Sequence, residues 1–162
     1  MTRSWIWTLW LATGIAQAAT PPCSAPEHRQ FDFWLGDWQV RKPDGAVAGT
    51  NRITREYDGC VLHEHYETGK GYSGESLNVY DASRKVWHQT WVDDDGLLLT
   101  LEGRWNGRSM VLEGLAPSED GAMTKQRISW TPAADGSVRQ LWEAADAKGT
   151  WTIVFDGRYT KK

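Results

Sequence analysis

From Trp38 onward, apolar and polar residues alternate with a period of two, and turn residues cut the alternation at short intervals. The runs are Trp38–Lys42, Gly49–Tyr57, Cys60–Thr68, Glu75–Asp81, Val86–Val92, Leu97–Trp105, Ser109–Leu115, Lys125–Thr131, Ser137–Ala144 and Thr150–Tyr159. Successive side chains of a strand point to opposite faces, so this period describes strands with one buried face. Between the runs lie Pro43-Asp44-Gly45, Asp58-Gly59, Asp95-Gly96, Asn106-Gly107, Asp120-Gly121 and Asp135-Gly136. Asn-Gly and Asp-Gly supply the positive φ angles that tight hairpins require. About ten short strands at hairpin spacing predict an all-β fold, an antiparallel sheet closed as a barrel or stacked as a sandwich.

The residues before this pattern read as a leader. Arg3 precedes the apolar run Trp5 to Ala16, which is too short to span a bilayer, and Ala16-Gln17-Ala18 has the small-x-small form of a signal-peptidase site. The expected organisation is a signal peptide at 1–18 and a single domain at 19–162, exported to the periplasm or the extracellular space, with no membrane span in the mature chain. The net charge of −3 and the lack of any basic run beyond Lys161-Lys162 exclude the electrostatic footprint of a nucleic-acid-binding protein. The two cysteines, Cys23 and Cys60, read as a disulfide in an exported chain. Its loop of about forty residues is worth roughly 3–4 kcal/mol in the chain-entropy model. Nothing in the sequence sets the oligomeric state.

The stretch FDFWLGDWQV, Phe31 to Val40, places four aromatic rings around Gly36. Phe31, Trp34 and Leu35 fall at helical spacing, Ser24 and Glu27 fit a capping box, and Pro26 suits a first turn. A short helix over 25–35 is expected, ended by Gly36 in a left-handed cap. Trp38 then enters the first strand. If that strand closes against the last, Arg158 comes near Trp38, where a guanidinium stacks on an indole.

Gly36-Asp37-Trp38 on the first strand, with Arg158 on the last, resembles the lipocalin (calycin) signature. The segments FDFWLGDW, GESLNVYD, WHQTWVD, RISWTP, RQLWE and TWTIVFDGRY resemble a family of small exported bacterial proteins with lipocalin-like barrels and an FDFWLG[DE]W start. The resemblance spans nearly the whole mature chain. It implies an up-and-down barrel of about ten strands, plugged at one end by the N-terminal helix, with Gly36, Trp38 and Arg158 as structural residues. It implies no particular activity.

Alternation also assigns faces, subject to bulges that flip a strand. The aromatic faces are expected inward: Leu62, Glu64 and Tyr66; Ser76, Asn78 and Tyr80; Trp87, Gln89 and Trp91; Ile128 and Trp130; Val138, Gln140 and Trp142; Trp151, Ile153, Phe155 and Tyr159. A barrel interior that only needed filling would be aliphatic. Buried Glu64, Asn78, Gln89 and Gln140 each cost roughly 1–3 kcal/mol if unpaired. They therefore either satisfy one another or face a small-molecule pocket.

Other chemistry is less well served. His63, His65 and Glu67 share a strand face, with His88 two strands on, but parity turns that face outward, so no metal is expected. Asp93-Asp94-Asp95-Gly96 lacks the ligand spacing of a calcium loop and reads as an acidic hairpin tip. The last histidine is His88, so the late histidine that holds haem in some related barrels is missing, and no cofactor is expected. There is no G-x-S-x-G. An inward Glu64 should have a raised pKa and is the candidate general acid or base, with Tyr80 or Ser76 orienting a substrate.

The expected function is binding of a small organic molecule with aromatic and polar character. Trp87, Trp91, Trp130 and Trp142 would wall the site, and Glu64, Ser76, Asn78, Tyr80, Gln89 and Gln140 would orient the ligand. The alternatives are a barrel enzyme of isomerase or hydrolase type using Glu64, and an envelope interaction protein with a filled interior.

Overall fold

The computed structural model describes residues 20–118, 121–146 and 148–162; the expected leader at 1–18 lies outside them. Ten antiparallel strands follow one another around a closed barrel. They are β1 (Gly36–Arg41), β2 (Val47–Glu56), β3 (Val61–Glu67), β4 (Ser73–Asp81), β5 (Val86–Asp93), β6 (Leu98–Trp105), β7 (Met110–Pro117), β8 (Met123–Pro132), β9 (Val138–Ala145) and β10 (Trp151–Lys161). Each strand pairs with its sequence neighbour, and β1 closes the ring against β10. Closure leaves no open sheet edge. The architecture is compatible with a lipocalin-like fold. No helix of the described residues is long and apolar enough to cross a membrane.

One end of the barrel is sealed. The expected short helix near the N-terminus is present over 26–34 and runs as two 3-10 segments, Pro26–Arg29 and Asp32–Trp34, joined through Gln30 and Phe31. The reason lies in the rings. In a 3-10 turn residues i and i+3 eclipse, and Phe31 and Trp34 stack at 4.9 Å with planes 16° apart. Both are fully buried, whereas Leu35 is only partly so. The first turn is preceded by Ala25 with no side-chain cap, so Ser24 does not form the capping box.

Gly36 is the first residue of β1 rather than a helix cap, with φ +122°. That angle suits glycine, and a Cβ there would collide with the Lys161 ammonium group. Glycine thus lets the chain turn from the plug into β1 with Trp34 and Trp38 both inside. The Trp38 indole N–H donates to the Trp34 carbonyl (2.8 Å). The expected Arg158–Trp38 stack is corrected. Trp38 pairs in register with Lys161, whose ammonium lies 3.8 Å from the indole centroid and donates to the Leu35 carbonyl. Arg158 sits three residues earlier, opposite Arg41, and its exposed guanidinium pairs with Asp135 (2.6 Å).

The disulfide joins Cys23 to Cys60, and no described cysteine is free. It ties the segment before the plug to the β2–β3 connection. Arg29 reinforces the tie by donating to the carbonyls of Cys23 (2.5 Å) and Gly59 (2.6 Å).

Candidate functional site

Inward parity holds for β3, β4, β5, β8 and β9 and places a polar cluster across the middle of the barrel. Asn51 of β2 donates to Glu64 Oε1 (2.7 Å), and the Ser76 hydroxyl donates to Glu64 Oε2 (2.6 Å). Asn78 donates to Ser76 Oγ (2.9 Å) and to the Leu62 carbonyl (3.2 Å), and Gln89 donates to Asn78 Oδ1 (2.9 Å). Adjacent strands bring these residues together: Glu64 is opposite Ser76, and Asn78 is opposite Gln89. On the other wall the Tyr159 hydroxyl donates to Gln140 Oε1. Asn51, between the two groups, also reaches that hydroxyl (3.3 Å).

Burial is the largest influence on Glu64, which is only 3% exposed, and raises its pKa to about 7. The hydrogen bonds from Ser76 and Asn51, and His63 on the outer face, act in the opposite direction. Burial, followed by the Glu64 charge, also raises the Tyr66 and Tyr159 hydroxyls. Asn51 Oδ1 is buried and accepts no hydrogen bond among the described residues.

Above this floor the barrel opens into a cavity of about 240 Å³ at the end away from the plug. Glu64, Gln89 and Gln140 line its base, and Trp91 and Trp142 form opposite walls. Gly74 makes room for Trp91, since a Cβ there would strike the indole ring. Trp142 is held by its N–H donating to Gln126 Oε1 (2.7 Å). Tyr72 and Trp91 both donate to Asp93 Oδ2, each at 2.9 Å. Asp93 Oδ1 accepts from the backbone of Asp95 (3.1 Å) and Leu97 (3.0 Å). The acidic hairpin tip therefore fixes two aromatic residues at the cavity mouth.

The candidate residues divide between the two ends. Glu64, Gln89, Trp91, Gln140 and Trp142 line the cavity. Ser76 and Asn78 sit behind them as hydrogen-bond partners. Tyr80, Trp87 and Trp130 belong to the plug: Trp87 and Trp130 meet Phe31 at 5.6 and 5.2 Å, and Tyr80 meets Trp87 at 5.9 Å. The lining residues Tyr66, Phe155 and Tyr159 were legible as inward positions. Thr68 and Tyr72 lie in and beside the β3–β4 hairpin, where alternation ends.

Strand β10 departs from parity. A register shift between Ile153 and Phe155 leaves Ile153 62% exposed and brings Val154 to the cavity mouth. Trp151 is turned outward as well, over the Arg127 guanidinium (4.2 Å). The expected inward positions of Trp151 and Ile153 are thereby corrected, and the cause is the bulge.

The amides are paired, so the floor is also a structural network. Replacing Gln89 with leucine strands Asn78 Oδ1 and should destabilise the protein by roughly 1–3 kcal/mol. Chemical denaturation measures this. An unchanged or increased midpoint would show that the Gln89–Asn78 bond contributes nothing.

No protein-family model matches the chain, and no curated protein matches it significantly.

Proposed function

We propose that the protein is an exported barrel that binds a small organic molecule carrying one or two rings and a polar group. The observation that carries this reading is the cavity itself, with aromatic side chains on its walls and Glu64, Gln89 and Gln140 at its base. Convergent polar groups among apolar walls are the usual composition of a small-molecule site. Size narrows the ligand. An apolar cavity of about 150 Å³ holds benzene, whereas drug-sized ligands take about 300–1,000 Å³. At about 240 Å³ the cavity suits a substituted single ring or a compact bicycle. The base favours a ligand with a hydroxyl or amide, which can both donate to the Glu64 carboxyl and accept from an amide. Export is supported by the Cys23–Cys60 disulfide, since such bonds persist in oxidising compartments.

Titration of the purified protein with small ring-bearing polar compounds, followed by tryptophan fluorescence, tests the reading. Trp91 and Trp142 wall the cavity, so a bound compound should change the emission saturably with one-to-one stoichiometry. No response to any member of such a library would count against it.

A barrel enzyme using Glu64 as general acid or base is the second reading. It is favoured by the position of Glu64, the one carboxylate among the residues lining this cavity. Under it, Glu64→Gln abolishes turnover while binding persists. An interaction protein with a filled interior is the least compatible with an open cavity.

A further inference from the structure

The outer face of β3 carries a second group of chemistry-bearing side chains that the cavity does not use. His63 and His65, two residues apart, project outward with ring centroids 4.0 Å apart. Glu75 of β4 stands directly opposite His65. Its carboxylate touches both rings, Oε2 lying 3.0 Å from His63 Nε2 and Oε1 lying 3.0 Å from His65 Nδ1. The other nitrogen of His63, Nδ1, lies 3.1 Å from Glu56 Oε1.

Hydrogen-bond counting shows what this arrangement asks of the two rings. A neutral imidazole has one N–H and can donate to one carboxylate. His63 faces a carboxylate at each nitrogen, and His65 presents a nitrogen to the same Glu75. Satisfying every contact with protons alone places three protons on the two rings: both nitrogens of His63 carry one, and His65 donates through Nδ1. A divalent cation between His63 Nε2, His65 Nδ1 and Glu75 takes the place of two of these protons and leaves the Nδ1–H of His63 for Glu56.

We infer that His63, His65 and Glu75 form a binding site for a divalent transition cation of the zinc class. His63 Nε2, His65 Nδ1 and a Glu75 oxygen would be its ligands. The ligand atoms of these residues lie within 4.8 Å of one another, so side-chain rotation brings them to the bond lengths of about 2.0–2.2 Å that zinc takes with nitrogen and oxygen. Two imidazoles and a carboxylate are a donor set suited to zinc rather than to magnesium or calcium. Glu56 has the position of an outer carboxylate that accepts from the Nδ1–H of a ligating histidine and fixes its tautomer. Solvent supplies the fourth position.

The surroundings favour a cation. His65 and Glu75 border a surface groove of about 250 Å³ that Glu67, Asp93 and Asp94 also line. Arg52, opposite His65 on β2, is engaged with Asp37 (2.9 Å). Neither Glu67 nor His88, the partners the strand pattern suggested, joins the cluster; His88 bonds Glu102 (3.1 Å) and Thr90 (2.8 Å) two strands away. The site would clamp β3 to β4 from outside and is independent of any ligand in the cavity.

The test uses untagged, chelator-treated protein titrated with zinc chloride by calorimetry, and with cobalt chloride to record its ligand-field bands. The expected result is one equivalent of zinc bound, with the cobalt spectrum of a low-symmetry nitrogen–oxygen site. His65→Ala should weaken zinc binding by more than about tenfold, and Glu56→Gln by about tenfold. His88→Ala should leave binding unchanged. His65 is partly exposed, and circular dichroism of His65→Ala should match the wild type. Failure of the wild type to bind one equivalent would overturn the site. So would equal affinity in a His63→Asn, His65→Asn double variant, or a loss in His88→Ala as large as that in His65→Ala.

Discussion

Replacing Trp38 with alanine should lower the unfolding free energy by about 3–5 kcal/mol, the usual consequence of deleting a large buried ring. Trp38 is fully buried. Its indole N–H is bonded to the Trp34 carbonyl, its ring meets Tyr159 edge-on at 6.2 Å, and its outer face is covered by Lys161. The substitution therefore removes the contact between the plug, the first strand and the last strand together. Position matters as much as size. Lys161→Ala should be non-additive with Trp38→Ala, since the residues touch, with a coupling of about 0.5–1 kcal/mol for an exposed cation on a ring. Arg158→Ala should change stability by less than about 1 kcal/mol, as expected of an exposed ion pair, and should add independently. A coupling at Arg158 with none at Lys161 would contradict the closure described here.

Removing the disulfide should have an effect of similar size. Cys60→Ser should lower stability by about 3–4 kcal/mol under oxidising conditions, because Cys23 and Cys60 close a loop across a separation of 37 residues. The loop contains the plug, the first two strands and their hairpin, so the unfolded chain regains much freedom when it opens. The variant and the fully reduced wild type should then melt together. Thermal melts with and without reductant measure this, and thiol titration of the unfolded protein should find no free cysteine. Two titratable thiols, or a melting temperature indifferent to reductant, would rule the stabilisation out.

Much of this architecture is legible in the sequence because a strand writes its own pattern. Trp87, Gln89 and Trp91 alternate with His88 and Thr90, and each falls on the side that the period assigns. The Asp-Gly and Asn-Gly pairs likewise mark their hairpins. What was not legible depends on relations between strands. The bulge beside Val154 reverses Trp151 and Ile153 without any break in their alternation. The register of β1 against β10 decides that Lys161, three residues beyond Arg158, covers Trp38. The partner of His65 is Glu75 on the next strand, where a reading of β3 alone offers Glu67. Depth along the barrel is equally hidden. Trp87 and Trp91 share a face, yet one packs on the plug and the other lines the cavity, since four residues along a strand span about 13 Å. The expected N-terminal helix is present, but in 3-10 form, for a related reason. Its i, i+3 signal was sound, but stacking Phe31 on Trp34 under the barrel rim suits the tighter turn.

We propose that the open end of the barrel, and not its outer surface, takes the small organic molecule. Val154 tests it most directly, because this half-exposed residue lines the cavity at its mouth. Val154→Trp should fill the entrance while leaving the fold intact, with circular dichroism unchanged. Isothermal titration of the best-binding small ring compound into wild type and variant should then differ by at least about tenfold in affinity, equivalent to 1.4 kcal/mol. Equal binding to both proteins would place the ligand elsewhere and contradict the claim.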